Sequence, residues 1–372
     1  MPDGSSPQSE FTPDPAFASD PAYVFTMNAL AVEAAALDAL APPPPFDPGS
    51  WAEAHIRFPE GSPKPGPYRH TTAPFLVEPL ARLSPEDPCQ DVVMIKCAQS
   101  GGTVTADLFL AGVLSNLRAP AMMIQPTLGQ AKQWAENKFW PIIEASPALG
   151  GDAEQGIIGS VLPRSARTEG GSTGLKIRFM NGSYLMLAGA ESPNTLRQHT
   201  VRFLIRDDIS GWEEDAGGEG HPIAISDKRV DLNYALGLAK KFDISTPLIL
   251  RGCVITAKYE ASSRGRWYMG CVHCEARFDL RIEDMQIAEN GPPWNVRYDC
   301  PACGCEHTHA DKRAMNARGI WIHTREIDGV KPPRVIATEE EAQRWLTRDL
   351  GVYAMRPGFW ITGEMNPFLT WE

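Results

Sequence analysis

The sequence predicts an α/β protein with a largely parallel sheet flanked by helices, joined to a small four-cysteine zinc ribbon. From Trp51 onward, short apolar runs bounded by Gly and Pro alternate with amphipathic stretches, a pattern typical of parallel strands linked by helices. Between residues 266 and 323 the alternation stops, and short strand-like pieces surround two CxxC pairs. The first pattern predicts the sheet and the second predicts the ribbon.

Composition sets the outer limits of this interpretation. The chain has 372 residues, of which 43% are hydrophobic, enough for two or more compact units. It lacks an apolar run of about 18 residues and a basic segment followed by an apolar one, so we expect neither a membrane span nor a secretory signal. The expected location is therefore the cytosol.

The net charge of −11 is unevenly distributed. Residues 1–60 hold nine carboxylates and a single cation, Arg57, which leaves only −3 for residues 61–372. Nucleic-acid binding depends on where cations cluster, so the acidic total does not exclude a DNA partner.

Residues 1–50 are rich in Pro, Ala, Ser and Asp and include the run APPPPFDP at 41–48. We expect an acidic, disordered tail with one short helix within 22–41, because proline opposes regular helix.

The elements that follow are read from periodicity. We predict strands at 91–98, 121–127, 201–208 and 240–247, helices at 103–117 and 128–145, and a hairpin of 176–180 with 183–189 around Asn181-Gly182.

The junction between the first strand and the first helix has the composition of a phosphate-binding loop. It reads KCAQSGGT, with Lys96 first, then Gln99, Ser100, Gly101 and Gly102, and Thr103 last. Small residues let backbone N–H groups point at phosphate oxygens, and a hydroxyl at the helix start can bind Mg²⁺. The usual lysine before the hydroxyl is missing, so Lys96 is the candidate cation. A Gly-Gly-Thr turn is also common without any function.

A second half of this site follows later in the chain. VRFLIRDD closes a mostly apolar strand with Asp207, which would hold Mg²⁺, and Asp208, which would activate water. Ser245 and Thr246 end another strand and could sense the γ-phosphate. The alternatives are solvated acids for the first pair and a cap or turn for the second.

The cysteine spacing predicts one structural zinc ion. Its ligands would be Cys271, Cys274, Cys300 and Cys303, because CxxC turns aim two sulfurs at one point. His273 or Cys305 could replace one of them. Four thiolates leave no open coordination position, so we expect no zinc catalysis.

Taken together, these residues resemble the large terminase subunit of tailed phages, of the lambda-like type. The resemblance covers most of residues 51–372. It rests on the following motifs, in order: PGPYRHTTAPFLVEPL, DVVMIKCAQSGGT, MMIQPT, SPNTLRQHTVRFLIRDD, GEGHPIAISDKRV, ISTP, and the cysteine ribbon with HADKRAMNARGIWI after it.

The resemblance implies a P-loop NTPase of the ASCE, RecA-like type, with ATP, Mg²⁺ and structural Zn²⁺ as its cofactors. It implies a motor that pushes double-stranded DNA into a procapsid, as a homo-oligomeric ring at the portal protein, with a small terminase subunit choosing the DNA. Relatives place the loop lysine early, as Lys96 is placed. They usually carry Glu where this chain has Asp208 and an apolar residue where it has Arg206, which is either a private change or a phosphate contact.

Further roles follow from the resemblance. Tyr68 and Arg69 are candidates for stacking on adenine, and Arg197 for an arginine finger toward a neighbouring subunit, with a structural salt bridge as the alternative. DNA contacts are expected from four cations, Lys228, Arg229, Lys240 and Lys241.

The predicted domains are a tail (1–50), a P-loop ATPase (51–265), a zinc ribbon (266–325) and a linker (326–372) toward a nuclease domain. The last residues, GVYAMRPGFWITGEMNPFLTWE, look like a cut through a longer protein or a shortened gene product, so no nuclease activity is predicted for the chain as given. The alternative function is a degenerate ATPase that acts as a zinc-containing DNA- or portal-binding scaffold, and a weaker one is an ordinary DNA helicase.

Overall fold

A computed structural model describes residues 46–164, 171–248, 252–288 and 295–371. Residues 46–371 belong to one compact unit. The helix predicted within 22–41, and the predicted tail up to residue 45, lie outside the described residues.

The predicted tail is too long at its C-terminal end, because a helix already begins at Pro48. The Asp47 carboxylate accepts a hydrogen bond of 2.6 Å from the Ser50 backbone N–H. Proline suits the first helical position, since its missing N–H would have no partner there anyway. The Asp-Pro pair is thus a helix start rather than a continuation of the proline-rich run.

The strands, in chain order, are β1 (Arg57–Phe58), β2 (Gly66–Pro67), β3 (Asp91–Ile95), β4 (Ala121–Gln125), β5 (Lys176–Arg178), β6 (Tyr184–Gly189), β7 (Phe203–Asp207), β8 (Lys240–Ser245), β9 (Gly265–Gly270), β10 (Arg277–Asp279), β11 (Gln286–Ile287), β12 (Val296–Asp299), β13 (Glu306–Thr308), β14 (Ile320–His323), β15 (Val335–Ile336) and β16 (Gly358–Trp360). The α-helices are α1 (Pro48–His55), α2 (Val77–Arg82), α3 (Gly102–Asn116), α4 (Leu128–Trp134), α5 (Trp140–Ala145), α6 (Pro147–Gly150), α7 (Pro193–Arg197), α8 (Pro222–Asp227), α9 (Asp231–Ala235), α10 (Val254–Glu260), α11 (Lys312–Ala317) and α12 (Glu339–Leu346). Short 3₁₀ turns lie at His70–Thr72, Pro74–Leu76, Ile209–Gly211, Ile282–Asp284, His309–Asp311 and Gly351–Met355.

The main sheet has the strand order β15-β10-β9-β16-β3-β8-β7-β4-β6-β5, with β14 also paired to β9. Every pairing from β9 through β16, β3, β8, β7 and β4 to β6 is parallel. One apolar cluster covers each face of this sheet. The predicted fold class, a mostly parallel sheet flanked by helices, is confirmed.

The predicted local elements are present. The hairpin of β5 and β6 turns at Gly182, whose φ of +88° suits glycine. The helix predicted over 128–145 is one helical run, α4 and α5, joined by a π-helical turn, Ala135–Phe139. The wide turn ends just before Pro141, which has no N–H for an ordinary helical bond.

The strand pairings cross both internal boundaries of the predicted domain division. Strands β9, β10 and β14, placed by sequence in or at the edge of the ribbon, extend the main sheet. Strand β16, placed in the linker, pairs with β3 and β9 inside that sheet. Strands β11, β12 and β13 form a small sheet of their own. The division into ATPase, ribbon and linker stays a proposal about folding units.

Candidate nucleotide and metal sites

The candidate nucleotide site lies at the carboxyl edge of the main sheet, where β3, β8 and β7 end side by side. Ile95 of β3 is aligned with Ser245 of β8, and Asp207 of β7 with Ile244. Side chains that follow parallel strands meet at one edge of a sheet, which is where α/β proteins bind their ligands. The register therefore brings together groups that are more than 100 residues apart in sequence.

Three of the predicted residues form one hydrogen-bonded group. The Lys96 ammonium donates to the Asp207 carboxylate over 2.7 Å and to the Thr103 hydroxyl over 3.1 Å. The same hydroxyl donates to the second Asp207 oxygen over 3.0 Å. Hydroxyl and carboxylate oxygens that converge on a positive charge are a donor set suited to Mg²⁺.

The path of the Lys96 side chain explains why glycine stands at 102. A Cβ atom at Gly102 would lie 2.8 Å from Cδ of Lys96 and 3.2 Å from its Cβ. The lysine thus crosses the start of α3 and carries its ammonium to Thr103 from the other end of the loop.

The two carboxylates favour the charged form of Lys96. Burial lowers the pKa of Lys96, but the Asp207 and Asp208 carboxylates outweigh burial and hold that pKa above its ordinary value. Asp208 lies 3.2 Å from the ammonium, and its side chain is half exposed. It therefore faces the open side of the site, while Asp207 is buried.

Two polar residues of this region have no role in the sequence prediction. The Gln125 side-chain amide, at the end of β4, donates to Asp207 over 3.2 Å. Asp107, one helical turn after Thr103, is fully buried, and burial raises its pKa to about 7. It accepts a hydrogen bond of 3.0 Å from the Trp134 indole. The sequence did carry a signal for Gln125, because it is a polar residue directly after the apolar run AMMI of β4.

The remaining loop and strand-end residues lie beside this group. Gly101, with φ of +84°, begins α3, and Gln99 also has a positive φ, of +55°. Ser100 is buried, and its hydroxyl donates to the Cys97 carbonyl over 2.9 Å. Ser245 bonds to Ser210 over 2.9 Å, in the turn after β7, while Thr246 is exposed. The two neighbouring strand ends are therefore linked by hydroxyl groups.

The predicted adenine contacts differ in accessibility. The Tyr68 side chain is 5% exposed, packed edge-on against Phe58 and His70, so its ring has no free face for stacking in this arrangement. Arg69 is exposed, with its guanidinium near the Glu53 carbonyl.

Arg197 is the last residue of α7 and is half exposed, in an ion pair with Glu219. The salt-bridge alternative named from the sequence is therefore present.

Arg206 does not contact the nucleotide site. Its side chain is 0% exposed and points to the opposite face of β7 from Asp207, where it forms a two-pronged pair with Asp243 at 2.5 and 3.1 Å. Asp227, 3.0 Å away, completes its neutralisation. A phosphate contact is thus the wrong interpretation, because the guanidinium is saturated by these carboxylates.

Two of the four predicted DNA-contacting cations are not exposed. Lys240 is 2% exposed, and its ammonium donates to backbone carbonyls of Asp87 and Cys89. Lys241 pairs with Asp91 over 2.8 Å and lies against the Tyr234 ring. Strand β8 is an inner strand, so its lysines fold back into the protein.

Lys228 is exposed and pairs with Asp231. Arg229 donates to the Arg197 carbonyl over 2.6 Å.

The four predicted zinc ligands converge. Sulfur atoms of Cys271, Cys274, Cys300 and Cys303 all lie within 4.8 Å of one another. Two of the sulfur–sulfur distances are 3.8 Å, the edge of a tetrahedron with sulfur about 2.3 Å from a central ion. The group could bind a metal ion, and it includes neither His273 nor Cys305. It joins the loop after β9 to the turn between β12 and β13, and so links the small sheet to the main one.

In the part of the chain that the structure describes, no helix is long and apolar enough to cross a membrane.

Comparison with known proteins gives matches to one family. A family model described as phage terminase large subunit gpA, ATPase domain, matches residues 62–321. The large terminase subunit of Enterobacteria phage P21 is 26% identical over 328 residues, which are 83% of this chain and 49% of that protein. The corresponding protein of Escherichia phage lambda is 24% identical over 77% of this chain and 44% of its own length. The chain thus spans about half the length of these curated relatives.

Among solved structures, the large terminase ATPase domain of a Thermus phage is similar at a TM-score of 0.31 and 16% identity, over 53% of this chain and 69% of that one.

Proposed function

The chain belongs to the family of the ATPase domain of phage terminase large subunit gpA, and from that premise we propose that it is the ATP-hydrolysing part of a motor that moves double-stranded viral DNA into a procapsid. The observation that carries this proposal is the convergence of Lys96, Thr103 and Asp207 at the ends of β3 and β7. The strand between those two, β8, ends in the Ser245 hydroxyl, which bonds to the turn after β7.

In this proposal the loop 96–103 holds the phosphates of ATP. Backbone N–H groups from Gln99 to Thr103 would donate hydrogen bonds to phosphate oxygens. The N-terminus of α3, the positive end of the helix dipole, would also favour the negative phosphates. Lys96 would neutralise the β- and γ-phosphates. Its ammonium would then exchange part of its contact with Asp207 for contact with phosphate.

Thr103 and Asp207 would hold Mg²⁺, whose charge stabilises the negative charge that develops during phosphoryl transfer. The fit rests on the oxygen donors themselves, 3.0 Å apart, with the Lys96 ammonium now bonded to both residues. Gln125 would keep the Asp207 carboxylate oriented, since it donates to the same oxygen as Thr103.

Asp208 would position the attacking water, because its carboxylate is the one that faces solvent. Its backbone has a φ of +54°, and its carboxylate lies 3.2 Å from the Lys96 ammonium. Ser245 and Thr246 would report the state of the γ-phosphate to the turn after β7 through Ser210. Arg69 for adenine and Arg197 as an arginine finger remain proposals, the latter requiring release from Glu219.

We also propose that the four-cysteine group holds zinc in a purely structural role. Four sulfur donors near tetrahedral spacing suit zinc, and they leave no position for a reacting water.

Double-stranded DNA, a portal protein, a small terminase subunit and further copies of this chain in a ring are proposed as partners, with the host cytoplasm as the location. These proposals rest on family membership and the resemblance to large terminase subunits. Lys228 and Arg229 stay candidates for DNA contact.

A DNA-stimulated ATPase assay tests the proposal. We expect Lys96→Ala and Asp207→Asn to lower kcat by about 100-fold or more, since the first removes a positive charge that would stabilise the transition state and the second weakens the proposed binding of Mg²⁺. Lys331→Ala, an exposed lysine outside the loop, is the matched control and should hydrolyse ATP like the parent. Unchanged hydrolysis in both site variants would refute the site.

The scaffold alternative is less well supported. In a degenerate ATPase, nothing would require the three hydrogen bonds among Lys96, Thr103 and Asp207, and all three are present here. ATP binding without measurable turnover in the parent would favour the scaffold instead.

A further inference from the structure

A side chain from the C-terminal end of the described chain reaches the candidate phosphate loop. Asn366 is 0% exposed. Its side-chain amide donates to the Ala98 carbonyl over 3.3 Å and to the Gln99 carbonyl over 3.4 Å, and it lies 3.7 Å from the Cys97 sulfur. These three residues form the first half of the loop, after Lys96.

Peptide geometry gives these contacts a consequence on the other side of the loop. In a trans peptide the C=O and the following N–H point in opposite directions. With the carbonyls of Ala98 and Gln99 drawn toward Asn366, the N–H groups of Gln99 and Ser100 point away from it. Those are the groups that a phosphate loop needs to turn toward its ligand.

The loop conformation needs such a constraint. Gln99 has a φ of +55°, in the left-handed region that residues other than glycine rarely adopt unless their surroundings hold them there. A buried amide bonded to the carbonyls before and at this residue holds both adjoining peptide planes.

Asn366 is itself held in place. Its side-chain oxygen accepts a hydrogen bond of 3.0 Å from the Phe368 N–H, which leaves the amide N–H₂ free for the loop. The buried Lys312 ammonium donates to the Leu369 carbonyl over 2.8 Å, and the Asn316 amide donates to the Met365 carbonyl over 2.9 Å. Both anchors come from α11, after the small sheet.

We propose that Asn366 is a positioning residue of the phosphate loop, which fixes the peptide planes on both sides of Gln99 so that their N–H groups face the nucleotide phosphates. This inference rests on the proposed function, because it assumes that the loop binds ATP.

The test replaces the donor and keeps the shape. Asn366→Asp has the same size and can still accept from Phe368, but its carboxylate cannot donate to the loop carbonyls. The matched control is Asn181→Asp, at the other end of α3 from the loop: the Asn181 amide likewise donates to a backbone carbonyl, that of Leu114, and its side-chain oxygen accepts from the Ser183 N–H. Both variants place a carboxylate beside a backbone carbonyl, so both should lower the melting temperature.

The readouts are the Kd for ADP with Mg²⁺, by calorimetry, and steady-state ATP hydrolysis. For Asn366→Asp we expect a Kd and a KM raised tenfold or more, with kcat within about threefold of the parent. For Asn181→Asp we expect a Kd within twofold of the parent. A parent-like Kd in Asn366→Asp, or an equal loss in both variants, would overturn the proposal.

Two further variants keep the outcome interpretable. If Asn366→Asp does not fold, as judged by circular dichroism, Asn366→Ala carries the test with the same thresholds. If Lys96→Ala binds ADP as tightly as the parent, or the parent does not bind it, then the proposed function fails. If the parent binds, Lys96→Ala does not, and the Asn366 variants bind normally, only the role of Asn366 fails.

Discussion

Replacing Arg206 by methionine should destabilise the protein without disturbing nucleotide binding. Methionine fills a similar volume but leaves the buried Asp243 carboxylate with Lys258, 2.8 Å away, as its remaining cationic partner. Breaking a buried ion pair from one side costs about 3–5 kcal/mol, because a buried charge is left uncompensated.

The pKa of Asp243 gives a separate route to this magnitude. Burial alone would raise that pKa, but Arg206 and Lys258 lower it to about 2, from an ordinary value of 3.8. At about 1.4 kcal/mol per pKa unit, the favourable environment contributes roughly 2 kcal/mol at neutral pH. The Arg206 hydrogen bonds to Ser226 and the Ile223 carbonyl, each 3.3 Å, add about 1 kcal/mol together. We therefore expect a loss of about 3 kcal/mol for Arg206→Met.

Urea unfolding followed by tryptophan fluorescence measures this loss. Because Asp243 has a depressed pKa in the folded state, its contribution is present above about pH 4 and is lost as the pH falls toward 2. The difference in unfolding free energy between parent and variant should therefore narrow between about pH 4 and pH 2. The double variant Arg206→Met/Asp243→Leu should recover about 1 kcal/mol or more relative to Arg206→Met.

The control is Lys228→Met, which breaks an exposed pair with Asp231 and should cost less than about 0.5 kcal/mol. Nucleotide affinity in Arg206→Met should stay within about threefold of the parent, since residues 206 and 207 point to opposite faces of β7. A loss below about 1 kcal/mol, or a difference between parent and variant that stays constant down to about pH 2, would refute the reasoning.

Three further outcomes are expected. Asp107→Asn keeps an acceptor for the Trp134 indole and removes a buried carboxyl whose pKa is raised to about 7. The parent loses stability as the pH rises from about 4 to 7 and the variant should not, so urea unfolding should show the variant more stable by about 4 kcal/mol at pH 8 and by almost nothing at pH 4. An equal gain at both pH values would contradict this expectation. Thr103→Val should lower kcat about 100-fold by removing the proposed Mg²⁺ ligand, whereas Thr103→Ser should stay within about tenfold, as measured by steady-state ATP hydrolysis at fixed Mg²⁺. The parent should release one zinc ion per chain to a chromogenic chelator after denaturation, Cys300→Ser should release little and melt at lower temperature, and Cys305→Ser, outside the four-sulfur group, should behave like the parent.

Local patterns in the sequence were sufficient to predict the strands and helices around the site. The run VVMI of β3 and the glycines after it predict a buried strand that leads into a helix, because burial on both faces and a tight turn leave a local signature. The CxxC spacing is likewise local, and it predicted the four converging sulfurs correctly.

Pairings between distant segments left no such signature. Arg206 looked like an anomaly in an apolar strand because its partner, Asp243, lies on the next strand of the sheet, 37 residues later. Lys240 looked like an exposed cation because nothing near it in sequence shows that Arg82, Asp87 and Cys89 would surround its ammonium with carbonyls. Burial of a charged residue is set by tertiary contacts, which composition and periodicity do not encode.

The placement of β16 changes how the cysteine group relates to the nucleotide site. The strand pairs with β3, directly before the loop, and the chain then continues through Asn366 to Trp371, whose ring packs on Tyr298 of β12 at a centroid distance of 4.8 Å. Two residues after Tyr298 comes Cys300, one of the four candidate ligands. A single C-terminal segment therefore touches the loop at one end and the cysteine-bearing hairpin at the other. The small sheet is thus attached to the main sheet at two places, through this C-terminal segment and through the cysteine group.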